Sequence, residues 1–271
     1  STKTYLPPLE GRRRGMLIGN KDTKARIALV AEIGNNHEGS VQTADKMIER
    51  AFESGADAVK LQTLVPTEFV SPLDPDRLEQ MQKFALSHED TSMLLKKWTS
   101  RGRHLFSTPL DMESLVFLIP LVQTIKIASG DITFLPLIET AASSGRDIIL
   151  STGAATLEEV TLALEVIAQA SVNLESTPKV AVLHCVSTYP AEASSLNLSS
   201  IRVLQEAYPD ATIGYSDHAI DLQVPVAAAI AGARIVEKHF TLDKEKTGFR
   251  DHALSADPDD LRQLRRDLDD A

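Results

Sequence analysis

Apolar residues recur along this chain in two alternating rhythms. Short runs rich in β-branched and aliphatic residues stand at 27–33 (I-A-L-V-A-E-I), 58–62 (A-V-K-L-Q), 104–107, 124–128, 147–151, 179–184, 211–215 and 235–239. Each is bounded by polar or turn-forming residues, as strands are. Between them apolar positions return every three or four residues, over 41–54, 90–101, 111–118, 135–144, 156–170, 197–207, 220–231 and 257–270. That spacing predicts amphipathic helices. Gly55, Gly102, Gly145 and Gly232 each follow such a stretch, where a left-handed cap favours glycine. Strand–helix pairs repeated in this way predict an α/β fold, a (β/α)8 TIM barrel. A doubly wound open sheet shares the alternation but calls for G-x-G-x-x-G after its first strand, and here that strand runs into E-I-G-N-N-H-E-G. Ahead of it, M-L-I-G-N-K-D-T-K-A-R predicts a short hairpin turning near Asn20 to Thr23. The expected organisation is an N-terminal arm and hairpin over 1–26 and one barrel domain over 27–271.

Composition narrows the partners. The 271 residues are 43% hydrophobic and 24% charged, with a net charge of −10. Such a balance argues against non-specific nucleic-acid binding, which needs clustered cations to neutralise phosphates. The one basic run, Arg12-Arg13-Arg14, falls in the arm. A lone Cys185 forms no internal disulfide, which points to a reducing cytoplasm, and its place after V-A-V-L-H reads as a buried strand end. No run of about 18 apolar residues and no signal-peptide core is seen, so no membrane partner is expected.

In such a barrel, chemistry gathers at the C-terminal ends of the strands. I-G-Y-S-D-H and I-V-E-K-H-F-T deliver His218 and His239 there, from parallel strands whose ends share one edge. Two imidazoles facing one pocket suit a divalent metal; the alternative is a pair of structural histidines. Lys60 and Gln62 alternate on one strand and point the same way. Lys60 and Lys126, with Ser107, Thr108, Ser129, Ser151 and Thr152 near, suit a phosphate or carboxylate. Structural ion pairs with Glu32, Asp131 or Glu237, or a Schiff-base lysine, are the competing readings. Glu32 and Asp131 are available for acid–base work. A polarised carbonyl beside a bound anion points to carbon–carbon bond formation or cleavage.

The motifs A-E-I-G-N-N-H-E-G (31–39), D-A-V-K-L-Q-T (57–63), F-S-T-P (106–109), K-I-A-S-G-D (126–131), I-L-S-T-G-A-A-T-L-E-E (149–159), L-H-C-V-S-T-Y-P (183–190), G-Y-S-D-H (214–218) and E-K-H-F-T-L-D (237–243) closely resemble the sialic acid synthase (NeuB-like) family, in order and over nearly the whole chain. The resemblance implies a metal-dependent condensation of phosphoenolpyruvate with an open-chain N-acyl amino sugar, giving a nine-carbon 2-keto-3-deoxy acid and phosphate. It implies that Lys60, Thr108, Lys126, Ser129, Ser151 and Ser216 hold phosphoenolpyruvate and that His218 and His239 bind Mn2+ or Mg2+. Glu32, Gln62, Tyr189 and Asp251 would face the sugar. Ser187 stands where some members have Asn, and Asp131 where many have Glu, near the centre at which water adds.

Many members of that family continue into a small antifreeze-like domain that reaches into a partner's sugar site. This chain ends at Ala271, after the last expected barrel helix, so a barrel without that domain is expected. Its loop T-G-F-R-D-H-A-L-S (247–255) would then lie at the pocket mouth. A homodimer is the family's default. The alternatives are a related synthase that condenses phosphoenolpyruvate with a sugar phosphate, and a non-catalytic barrel that binds sugar or phosphate.

Overall fold

The computed structural model describes residues 15–19 and 21–271; the expected arm, including Arg12 to Arg14, lies outside the described residues. A two-stranded antiparallel hairpin, β1 (Leu17–Ile18) and β2 (Lys21–Asp22), precedes the barrel. Its turn opens at Gly19, where φ is +64°, earlier than the expected Asn20 to Thr23. Met16 and Ile18 are buried, so the hairpin packs as part of the main core.

Eight parallel strands then close into a barrel: β3 (Ala28–Gly34), β4 (Ala58–Thr63), β5 (His104–Pro109), β6 (Thr124–Ile127), β7 (Asp147–Ser151), β8 (Val180–Cys185), β9 (Thr212–Asp217) and β10 (Ile235–His239). They follow in sequence order, and β10 returns to pair with β3, His239 opposite Glu32. Outward residues such as Leu61, Ile125, Leu150 and Val236 are fully buried beneath the helices.

The helices form where apolar residues return every three or four positions, and several are backed by a side-chain cap. In α1 (Val41–Glu53), the Ser40 side chain accepts from Thr43 N–H, and Ala44, Met47, Ile48, Ala51 and Phe52 make the buried face. Thr156 and Glu159 form a capping box on α7 (Leu157–Ala170); Asp257 and Asp260 do so on α10 (Pro258–Asp270). The others are α4 (His88–Thr99), α5 (Met112–Leu118), α6 (Leu135–Ser143), α8 (Ser200–Ala207) and α9 (Gln223–Ile230). All four helix-ending glycines adopt positive φ, as expected. Among the described residues no helix is long and apolar enough to cross a membrane.

One region has no counterpart in the sequence reading. Between β4 and α4 the chain makes an excursion of two extra helices, α2 (Pro66–Phe69) and α3 (Pro75–Phe84). Leu64, Val70, Met81 and Phe84 form a small core of their own, and Phe249 from the loop after β10 packs against it. The Phe84 and Phe249 rings meet edge-on, their centroids 5.6 Å apart. The segment S-P-L-D-P-D-R-L-E-Q is polar and proline-broken, and part of its apolar cover comes from the far end of the chain. No local pattern could announce it.

Candidate active site

Glu32, Lys60, Gln62, Thr108, Lys126, Ser129, Asp131, Ser151, Ser187, Tyr189, Ser216, His218 and His239, all expected from the sequence, line one cavity of about 730 Å3 at the C-terminal end of the barrel. Asp251 lines an adjoining cavity of about 640 Å3, continuous with the first through Gln62, Arg77, Tyr189 and His239. Strand alternation decides who enters. Lys60 and Gln62 point inward from β4, Glu237 and His239 from β10, and Thr108 lies beside Lys60. Two expected hydroxyls do not reach the anion half. Ser107 sits on the opposite face of β5, fully buried and 2.7 Å from Thr63 Oγ1. Thr152 donates to the Leu183 carbonyl at 3.0 Å.

The floor of the cavity is a buried cluster of four charges. Lys60 Nζ lies 3.1 Å from Glu32 Oε2, 3.1 Å from Thr108 Oγ1 and 3.4 Å from Glu237 Oε1. Lys126 Nζ donates to both oxygens of Glu237, at 2.9 and 3.0 Å, and Ser216 Oγ donates to Oε1 at 3.1 Å. The lysines are therefore compensated by Glu32 and Glu237 rather than by Asp131, and Glu237 bridges them. Burial pushes Glu237 toward neutrality, but Lys126 and Lys60 together hold it well below the usual carboxylate range. For Glu32 burial outweighs Lys60 and its pKa is raised. Glu237 was foreseen only as an ion-pair partner; its signal was its place two residues before His239, on the same face.

Around this floor stand hydroxyls able to donate. Thr108 Oγ1 accepts from Lys60, which leaves its hydroxyl hydrogen free; Ser129 Oγ accepts from Gly153 N–H at 2.9 Å and its hydroxyl reaches the Cys185 sulfur. Ser151 Oγ is buried with no hydrogen-bond partner. Two ammoniums and the hydroxyls of Thr108 and Ser151 make a lining suited to a phosphate. Asp131 follows β6 in a 3-10 turn, Ser129–Asp131, at the rim of this half. Burial alone lifts its carboxyl to about 6.

The imidazoles form the second half. The His218 and His239 rings are 5.3 Å apart, and Tyr189 covers both at 4.1 and 6.0 Å. His218 Nδ1 lies 2.7 Å from the Val186 carbonyl, so Nδ1 carries the proton and Nε2 keeps its lone pair. Burial lowers the pKa of both histidines, that of His239 strongly. His239 Nδ1 is buried without a hydrogen bond, 3.9 Å from Asp251 Oδ2. Two neutral imidazoles with free lone pairs fit a divalent cation. Among the described residues no group of three or more His, Cys, Asp or Glu forms a complete cage, so the remaining ligands would be substrate or water. Cys185 lines the cavity as well, its sulfur 3.8 Å from His218 Nδ1, and burial raises its pKa.

The outer half is lined by amides, carboxylates and guanidinium groups. Gln62 Nε2 donates to Glu32 Oε1 at 3.0 Å, and Asn35 Nδ2 donates to Gln62 Oε1 at 3.2 Å. Asp251 Oδ1 is buried, with Arg250 Nε 3.5 Å away. Two guanidinium groups flank the opening: Arg250, expected at the pocket mouth with the rest of the 247–255 loop, and Arg77, which no sequence pattern marks. Arg77 lies 5.5 Å from the Phe69 ring and Arg250 lies 5.2 Å from the Tyr189 ring. Arg77 comes from α3, the helix that was not foreseen.

Residues 47–271 match the model of the NeuB family. The N,N'-diacetyllegionaminic acid synthase of Legionella pneumophila is 37% identical over 90% of this chain and 71% of its own length. The N-acetylneuraminate-9-phosphate synthase of Drosophila melanogaster is 34% identical over 88% of this chain and 66% of its own length. Among solved structures, the N-acetylneuraminic acid synthetase of Leptospira borgpetersenii, in complex with citrate, superposes with a TM-score of 0.87. It shares 31% identity, over 94% of this chain and 88% of that one. Motifs, barrel and comparisons agree: the chain belongs to the NeuB family and is an enzyme of its acid-synthase type.

Proposed function

We propose that the chain condenses phosphoenolpyruvate with the open-chain aldehyde of an N-acyl hexosamine, giving a nine-carbon 2-keto-3-deoxy acid and inorganic phosphate. The observation that carries this reading is the junction of two unlike halves in one cavity. Lys60, Lys126 and free hydroxyls suit a phosphate, and beside them a histidine pair opens toward a chamber lined by Asn35, Gln62 and Asp251. In the proposed reaction the C2–C3 π electrons of phosphoenolpyruvate form the new bond to the aldehyde carbon. The aldehyde oxygen takes up a proton and becomes a hydroxyl. Water adds at C2 with loss of one proton, the C2–O bond to phosphate breaks, and the second proton of that water leaves as C2 becomes the ketone.

Lys60 and Lys126 bind the phosphate and stabilise the charge it carries away. Asp131, with its carboxyl lifted to about 6, is largely ionised at neutral pH and takes the proton from the attacking water. Glu32 and Gln62 orient the sugar hydroxyls. A divalent cation held by His218 and His239, Mn2+ or Mg2+, would supply Lewis-acid polarisation of the aldehyde. The guanidinium groups of Arg77 and Arg250 favour a second reading of the acceptor, a hexosamine with an anionic substituent such as a phosphate at its far end. A cytoplasmic homodimer is part of the same proposal.

The test is phosphate release and 2-keto acid formation from phosphoenolpyruvate, Mn2+ and a panel of N-acyl hexosamines with and without a phosphate ester. Release is expected, with loss on chelation and with weakened Mn2+ binding in His218→Ala and His239→Ala. Absence of release across the panel overturns the reading; preference for the free sugars overturns the anionic acceptor.

A further inference from the structure

The motif N-N-H-E-G (35–39) is only partly accounted for by the pocket. Asn35 lines it, but Asn36 and His37 are 1% and 2% exposed and do not. Glu38 adopts φ +51°, a left-handed conformation that costs a non-glycine residue energy and persists only where its surroundings hold it.

What holds it is the loop after β10. Glu38 Oε1 lies 3.1 Å from His252 Nε2, and His252 Nδ1 lies 2.8 Å from Thr241 Oγ1. His252 is 1% exposed and lies behind the pocket wall. The Glu38 carboxylate also rests against Gly248 so closely that a Cβ there would collide with it. Asn36 Nδ2 donates to the Phe240 carbonyl and to Ser255 Oγ, both at 2.9 Å, and Ser255 Oγ donates to the Asp251 carbonyl at 2.6 Å. Asp251 is thus pinned through its own carbonyl and through its neighbour His252, both ties leading to the loop after β3. Its side chain faces the other way, with Oδ2 near His239 and Oδ1 3.5 Å from Arg250 Nε in the outer half.

We propose that Glu38, acting through His252, is a positioning residue for the acceptor: it fixes the backbone at 251–252 so that the Asp251 carboxylate meets the sugar at a set place. This rests on reading the outer half as the acceptor's seat. A side chain that orients another typically changes affinity or activity by roughly 10- to 100-fold when removed.

The test compares Glu38→Gly and Glu38→Gln with the unaltered chain. Glycine suits the positive φ, so Glu38→Gly keeps the fold while removing the tie. Its KM for the acceptor is expected to rise about ten-fold, with the KM for phosphoenolpyruvate and kcat within about two-fold. Glu38→Gln retains an oxygen for the His252 N–H and is expected to restore most of the affinity. Hydrogen exchange is expected to quicken in Glu38→Gly at residues 249–255 and nowhere else in the barrel. An unchanged acceptor KM, or acceptor and phosphoenolpyruvate KM rising together, overturns the proposal. If the unaltered chain turns over no acceptor, the parent reading fails, and the exchange experiment alone decides: unchanged protection at 249–255 overturns the tie.

Discussion

A lysine ammonium in a protein interior needs a counter-charge within reach, and Lys60 and Lys126 share one in Glu237. Both lysines and both histidines were legible because alternation along a strand fixes the face on which a side chain stands. The bridge was not legible, since it joins β4, β6 and β10, residues brought together only when the barrel closes. Ser107 and Thr152 show the limit of proximity in sequence: each is next to a pocket residue and on the opposite face. Asp131 carries the most direct prediction. With its carboxyl near about 6, the rate with phosphoenolpyruvate and acceptor should fall as pH drops through about 6 and the carboxylate takes up a proton. Asp131→Asn should lower kcat on the order of 100-fold and abolish that acidic limb. A limb that persists unchanged in the variant would assign it to another group.

At the level of elements, the barrel was readable because each strand and helix states its own period, and helix ends were further marked by caps and by glycine. The excursion of α2 and α3 carries no such statement. Its small core is completed by Phe249, more than 160 residues along from α3. Yet this unforeseen element delivers Arg77 to the pocket. Removing the edge-on ring in Phe84→Ala should cost about 3 kcal/mol, confined to the excursion, because Leu64, Val70 and Met81 lose a shared partner while the main core keeps its own. Hydrogen exchange should quicken over residues 64–87 and near Phe249, with protection of β6, β7 and β8 unchanged. Equal loss in those strands would mean that the excursion and barrel unfold as one unit.

For the molecule as a whole, two buried imidazoles make the fold sensitive to acid. Burial lowers His37 and His104 each to about 4. His104 Nδ1 accepts from Gly19 N–H at 2.7 Å, tying the hairpin to β5, and protonation would turn that acceptor into a donor. A histidine near 6.5 when unfolded and near 4 when folded adds stability that is complete above about 6.5 and lost as pH falls toward 4, about 3 kcal/mol for His104. Urea melts at pH 7 and pH 4.5 should separate by roughly 2 kcal/mol more in the unaltered chain than in His104→Gln, since the loss is complete only below about 4; equal separations would exclude the hairpin contact as a source. The closure of β10 onto β3 has a consequence for how the protein is made. The carboxylate that neutralises Lys60 and Lys126 arrives with the final strand, and the last helix follows it. A chain still leaving the ribosome therefore holds two ammonium groups with no bridging partner until residue 237 has emerged, so the barrel's centre is completed only with its eighth strand, and the seven earlier strands stay exposed to chaperones until then.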